Sequence, residues 1–142
     1  MACPYFIPTE KFAEAAWPHR TRLPLGDGWR GLCTASGHEQ VIPSDHELRQ
    51  FCNLGYAAQC QRLPAQRRFD AVRFSVARDR DQRIHLYYVL EAAHRPGAHG
   101  LLEYDAAVGR WAVTHPDPRI QAMAACYLDS YFERRRAASN PA

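Results

Sequence analysis

Lysine is almost missing from this chain. Lys11 stands alone among eighteen Lys and Arg residues, so arginine carries the positive charge. A GC-rich, bacterial-like genome gives such a bias without a functional cause, although arginine also favours two-pronged contacts with carboxylates and phosphates. The formal net charge of +3 is too small to mark a nucleic-acid binder by charge. No apolar run approaches the ~18 residues a membrane helix requires, which excludes a membrane partner of that kind. The opening MACPYFIPTEKF has no basic region followed by an apolar stretch, so it does not read as a secretory signal. The expected compartment is the cytoplasm, where thiols stay reduced.

Other absences narrow the chemistry. There is no internal repeat and no low-complexity tract. There is no P-loop, no GxGxxG before a helix, no GxSxG and no HExxH, so the common nucleotide, hydrolase and metalloprotease signatures are missing. Enzymatic activity stays open on this evidence. There is also no CxxC pair, although the chain has five cysteines. An odd number in a reduced compartment argues against a disulfide framework and leaves metal binding, catalysis or burial.

The 142 residues suffice for one core, and the expected architecture is a single α+β domain over 1–142. Residues 1–68 hold four cysteines and most prolines, which predicts a loop-rich half with short helices. Residues 69–136 read as a three- or four-stranded antiparallel β-meander followed by a helix. In FDAVRFSVARD, Val72, Phe74 and Val76 alternate with polar residues, as in a half-buried strand. The polar DRDQ fits a hairpin turn, and Ile84 to Leu90 form the next strand, with Pro96-Gly97 expected to break it. GLLEYD and RWAV supply the remaining strands. Asp117 then precedes Pro118 as a plausible N-cap, and Ile120, Met123, Ala124, Tyr127, Leu128, Tyr131 and Phe132 recur at helical spacing. The apolar stripe should pack on one face of the sheet. Upstream, Ser44-Asp45-His46-Glu47 matches a capping box, predicting a helix that carries Leu48, Phe51 and Cys52. TEKFAEAAW suggests a second short helix over Thr9 to Trp17.

The cysteines Cys3, Cys33, Cys52 and Cys60 arrive singly, with 29, 18 and 7 residues between them. Structural zinc usually takes close pairs, because one tight turn presents two thiolates to one small ion. A 4Fe-4S cluster presents four corners, so its thiolates can come from separate segments. The isolated spacing therefore suits an iron–sulfur cluster better than Zn2+, which remains the alternative. A third reading takes all four as small buried core residues. The segment CNLGYAAQC tests the geometry. On one straight helix, Cys52 and Cys60 would lie about 12 Å apart and roughly 80° around the axis. They share a centre only if the chain turns, and Gly55 permits that turn in a left-handed conformation.

Neighbouring residues extend the picture. Gly31 and Gly37 flank Cys33 and would let backbone N–H groups approach cluster sulfurs. Arg30 and Arg62 are candidates to compensate cluster charge, weighed evenly against a solvated surface role. His38 and His46 lie close enough in sequence to replace one thiolate, although surface or capping roles are favoured. His94 and His99, with Glu91, suggest a small polar cluster in a solvated loop. Cys126 falls off the apolar stripe of the last helix and is left outside the site. Trp17, Trp29, Tyr56 and Arg30 give weak support for stacking single-stranded nucleic acid. The resulting expectation is a protein that binds one 4Fe-4S cluster through Cys3, Cys33, Cys52 and Cys60. Its role would be electron transfer, redox sensing or support of a partner-binding surface, with a redox or protein partner. The alternative is a zinc-stabilised module that binds protein or nucleic acid.

Overall fold

The computed structural model describes residues 2–12 and 23–139. Four strands follow one another as a meander: β3 (Ala71–Arg80), β4 (Arg83–Ala92), β5 (Arg95–Asp105) and β6 (Arg110–Val113). They form one antiparallel sheet in chain order, beside a separate pair made of β1 (Phe6–Lys11) and β2 (Trp29–Cys33). The fold is α+β.

The meander turns on local backbone chemistry. Asp81 and Gln82 both have positive φ, as do Ala93 and His94. Two successive left-handed residues make the tight hairpin turn whose twist matches its strands. The first turn lies in DRDQ, as predicted. The second does not lie at Pro96-Gly97, which instead falls inside β5. There Leu90 pairs with Ala98 and Glu91 with Pro96, leaving Gly97 as the extra residue of a bulge. A bulge interrupts the ladder locally, so a proline without an N–H is accommodated there.

Alternation along the strands sets the core. Val72 and Phe74 of β3, Leu86 and Leu90 of β4, and Leu102 of β5 form one buried cluster. Helix α2 (Pro118–Ser139) adds Ile120, Met123 and Ala124 to it. Its start is fixed as expected: the Asp117 carboxylate accepts from the Arg119 N–H at 2.9 Å, and the Asp117 carbonyl accepts from Gln121 at 3.0 Å. The same cluster takes Ala2, Phe6, Phe12, Leu25, Trp29 and Leu48 from the first half. No helix among the described residues is long and apolar enough to cross a membrane.

The first half is more regular than its prolines suggest. Thr9 to Lys11 belong to β1 and not to the expected helix over Thr9 to Trp17; its positions from 13 onward lie outside the described residues. Ala2, Pro4, Phe6 and Pro8 are buried in alternation, a period of two that outweighs the helix propensity of the following residues. Pairing with β2 is close. A Cβ on Gly31 would stand 2.0 Å from the Ile7 carbonyl oxygen, so only glycine fits. The chain start is tied to the large sheet, because Ala2 and Val72 exchange two backbone bonds of 2.7 and 2.8 Å.

The capping box forms. Ser44 Oγ accepts from the Glu47 N–H at 3.2 Å, and Glu47 Oε1 accepts from the Ser44 N–H at 2.9 Å. The helix it starts, α1 (Asp45–Glu47), is a single turn that runs on into a π-helical turn over Leu48–Cys52. Such wide turns are rare and are found disproportionately at functional positions.

Candidate metal centre

Each of the four isolated cysteines reaches its place by a different route. Cys3 lies just before β1, and its N–H donates to the Cys52 carbonyl at 3.0 Å. Cys33 ends β2 opposite Phe6, and its N–H donates to the Val41 carbonyl at 2.9 Å. Cys52 ends the π-helical turn. The chain then reverses. Gly55 has φ +72° and Tyr56 φ +49°, and the Gly55 N–H donates to the Phe51 carbonyl at 3.0 Å. Tyr56 docks on Asp70 through a backbone bond of 3.1 Å, and a tight turn from Ala57 delivers Cys60. Gly55 is therefore the left-handed residue that the spacing demanded.

The four segments meet. Cys3, Cys33, Cys52 and Cys60 all line one narrow pocket, whose own cavity volume is about 20 Å³. Its other walls include Phe6, Pro43, Phe51 and Leu63, with the charged Arg62 beside them. Among the described residues, no carboxylate or imidazole lines it. Among the described residues, no three or more His, Cys, Asp or Glu side chains come together as a site for a single metal ion.

Apolar walls act on the thiols. Burial pushes Cys3 up to about 11, with the neighbouring Cys33 and Cys60 sulfurs adding to the rise and the Tyr5 N–H opposing it. Burial also pushes Cys52 up strongly, reinforced by Cys3, Cys33 and Cys60. Mutual influence of this kind places the four sulfurs in one electrostatic neighbourhood. Metal-free, Cys3 and Cys52 are therefore neutral thiols at pH 7.

Sequence neighbours sort differently in space. Arg62 lines the pocket and is ion-paired with Glu47, the residue that closes the capping box. Arg30 does not line it: its guanidinium pairs with Asp45 at 3.1 Å and lies 4.0 Å from the centre of the Phe12 ring. Arg119, from the first turn of α2, does not line the pocket either: it pairs with Asp117, and its charge opposes the rise at Cys3 least of the contributions there. The backbone donor to the Cys33 sulfur is Ala35, at 3.4 Å. Gly31 serves strand pairing and Gly37 bonds to Glu39, so neither glycine has the role expected from sequence. His38 and His46 stay outside the pocket. Cys126 is half-buried near the Pro8 carbonyl, 4.0 Å away, and burial holds its thiol up at about 12. Trp29 is a core residue whose indole N–H donates to the Leu25 carbonyl at 3.2 Å, and Trp17 lies outside the described residues.

Two supporting residues have bracing roles that the sequence does not mark, Asn53 and Tyr56, the latter expected from sequence only as a base-stacking candidate. Asn53 is buried and fully bonded. Its Oδ1 accepts from the Trp29 N–H at 3.0 Å, and its Nδ2 donates to the carbonyls of Trp29 at 3.0 Å and Leu48 at 2.9 Å. It thus pairs with β2 as a strand residue would and holds Cys52 against the strand that carries Cys33. Tyr56 joins the return loop to the meander. Its hydroxyl donates to Glu91 at 2.7 Å and accepts from the His94 N–H at 2.9 Å, and its ring stacks on His94 with centres 4.0 Å apart. The polar cluster of Glu91 and His94 is real, but it braces the cysteine loop. His99 lies elsewhere, with its ring against Tyr87.

Comparison of the chain with protein-family models, curated proteins and solved structures finds no match. The reading of the site rests on its own residues.

Proposed function

We propose that this protein binds one 4Fe-4S cluster through Cys3, Cys33, Cys52 and Cys60. The observation that carries the reading is the convergence of four sequence-distant thiols on the wall of a single narrow pocket. Four independent core cysteines have no reason to share one cavity. The isolated spacing of the four thiols along the chain favours a group with four corners over one tetrahedral ion. The donor set is all sulfur, which is the set such clusters take. When bound, the cluster supplies one-electron chemistry. The chain's own residues do the rest. Phe6, Phe51 and Leu63 wall the pocket with apolar surface, the Ala35 N–H donates to the Cys33 sulfur, and Arg62 offsets part of the negative charge of four thiolates. The function is electron transfer, redox sensing or structural support of a partner-binding surface in the cytoplasm, with a redox or protein partner.

Anaerobic purification tests this reading. The expected product is brown, with broad absorption near roughly 400 nm and about four iron and four sulfide per chain. Replacing Cys52 or Cys60 by serine should remove most of the iron. A colourless protein with about one Zn2+ per chain would replace the proposal with a zinc-stabilised interaction module. A colourless protein free of metal would leave the cysteines as core residues.

A further inference from the structure

A second cavity borders the N-terminal segment at Pro4 and Tyr5. It is the larger, with a cavity volume of about 540 Å³, and Tyr5 lines both. Its apolar walls come from three parts of the chain: Phe69 before β3, Leu90 in β4 and Ile120 in α2. Four polar residues share the lining: Arg68, His115, Asp117 and Arg119.

Their charges do not cancel. Asp117 and Arg119 neutralise one another through two contacts, at 2.9 and 3.1 Å. Arg68 is exposed, sits 5.3 Å from the centre of the Phe69 ring and has no carboxylate partner among the described residues. His115 accepts the Asp117 N–H on Nδ1 at 3.0 Å, which places its proton on Nε2. Burial keeps that imidazole neutral, so it adds a donor and no charge. The cavity thus offers apolar walls, one N–H donor and one uncompensated guanidinium over an aromatic ring. Concave apolar sites with a few placed polar groups are the usual form of small-molecule sites.

We propose that this cavity binds a small planar aromatic carboxylate, its carboxylate on Arg68 and its ring system against Phe69, Leu90 and Ile120. The guanidinium supplies paired donors for the two carboxylate oxygens. The apolar walls take the ring, whose burial provides the favourable free energy. The proposal does not rest on the metal reading, because none of its ligand-facing side chains belongs to a cysteine.

Titration of the full-length purified protein with 2-naphthoate tests it, followed by calorimetry and by amide chemical shifts. Saturable one-to-one binding is expected, with shifts centred on Phe69, His115 and Ile120. Loss of the guanidinium in Arg68→Gln, an exposed position that leaves the fold intact, should weaken binding about tenfold. The neutral analogue 2-naphthamide should bind the unaltered protein about tenfold more weakly, a measurement that needs no variant. Octanoate, an anion without a ring, should also be the weaker ligand. Absence of saturation, shifts centred elsewhere, or equal binding of naphthoate and naphthamide would overturn the site. Octanoate binding as tightly as 2-naphthoate would overturn the aromatic class.

Discussion

The N–H of Cys3 donates to the carbonyl of Cys52 at 3.0 Å, although 48 residues separate them. This bond joins the start of the chain to the end of the π-helical turn and sets two of the four thiols side by side. Ala2, one residue earlier, is pinned to Val72 by two further bonds. Removal of residues 2–4 should therefore abolish the cluster and not merely trim an end. Iron content of the truncated protein checks this. Full retention would remove Cys3 from the site.

Asn53 is the internal brace. Asn53→Ala would leave the N–H and carbonyl of Trp29 and the carbonyl of Leu48 without their buried partner. Each unsatisfied group costs about 1–3 kcal/mol, so a loss of about 2–4 kcal/mol is expected after partial relaxation. Urea unfolding measures it. Asn53→Asp keeps the acceptor but loses both donor bonds, and it should be no better than alanine.

Acid should loosen the return loop. The Tyr56 hydroxyl and Arg73 hold the Glu91 carboxyl below its ordinary range, and the Ala93 N–H and Arg67 do the same for Asp70. A depressed folded-state value contributes stability above the unfolded value and loses it as pH falls through the folded one. Thermal stability should therefore fall as pH drops below about 4.5, the ordinary glutamate range. In Tyr56→Phe the protein should be about 1 kcal/mol less stable at pH 7 and show a shallower acid dependence. Melting curves from pH 7 to pH 3 decide the point.

Alkali acts on the metal-free thiols in the opposite direction. Burial raises Cys3 from near 9 to about 11 and raises Cys52 as well. A raised folded-state value contributes fully below the unfolded value and is lost as pH rises through the folded one. Metal-free protein kept reduced should lose stability progressively between pH 9 and pH 11. Cys3→Ala should flatten that decline. Because ligation needs thiolates, cluster reconstitution should also be more complete at pH 9 than at pH 7.

Close strand contact gives a further test. Gly31→Ala would place a methyl group 2.0 Å from the Ile7 carbonyl oxygen, so β1 and β2 must separate. A destabilisation of about 2–3 kcal/mol is expected, comparable to other overpacked sites. Since β2 carries Cys33, iron retention should fall with it. A variant that unfolds at the original urea midpoint would show that the strands adjust freely.

Much of this molecule is written in local sequence. Period-two runs gave the meander, Asp117-Pro118 gave the start of α2, and Ser44 with Glu47 gave the capping box, because each depends on neighbours within a few residues. The need for a turn at Gly55 followed from helix geometry alone. The Thr9 to Lys11 segment was misread because its strand character comes from pairing with β2, some twenty residues away, against good local helix propensity. Pro96-Gly97 was misread for a similar reason: a bulge opposite β4 absorbs the proline. Only the tertiary structure could take Arg30 away from the pocket and leave Arg62 on its wall, or give Asn53 and Tyr56 their bracing roles. Charge and hydrogen-bond partnerships form across long loops, and nothing in the chain order marks them. The sequence determined that four lone thiols lie in one half of the chain. That they line a single cavity was decided by backbone bonds from Ala2 to Val72, Cys3 to Cys52 and Cys33 to Val41, whose partners the fold alone brings within reach.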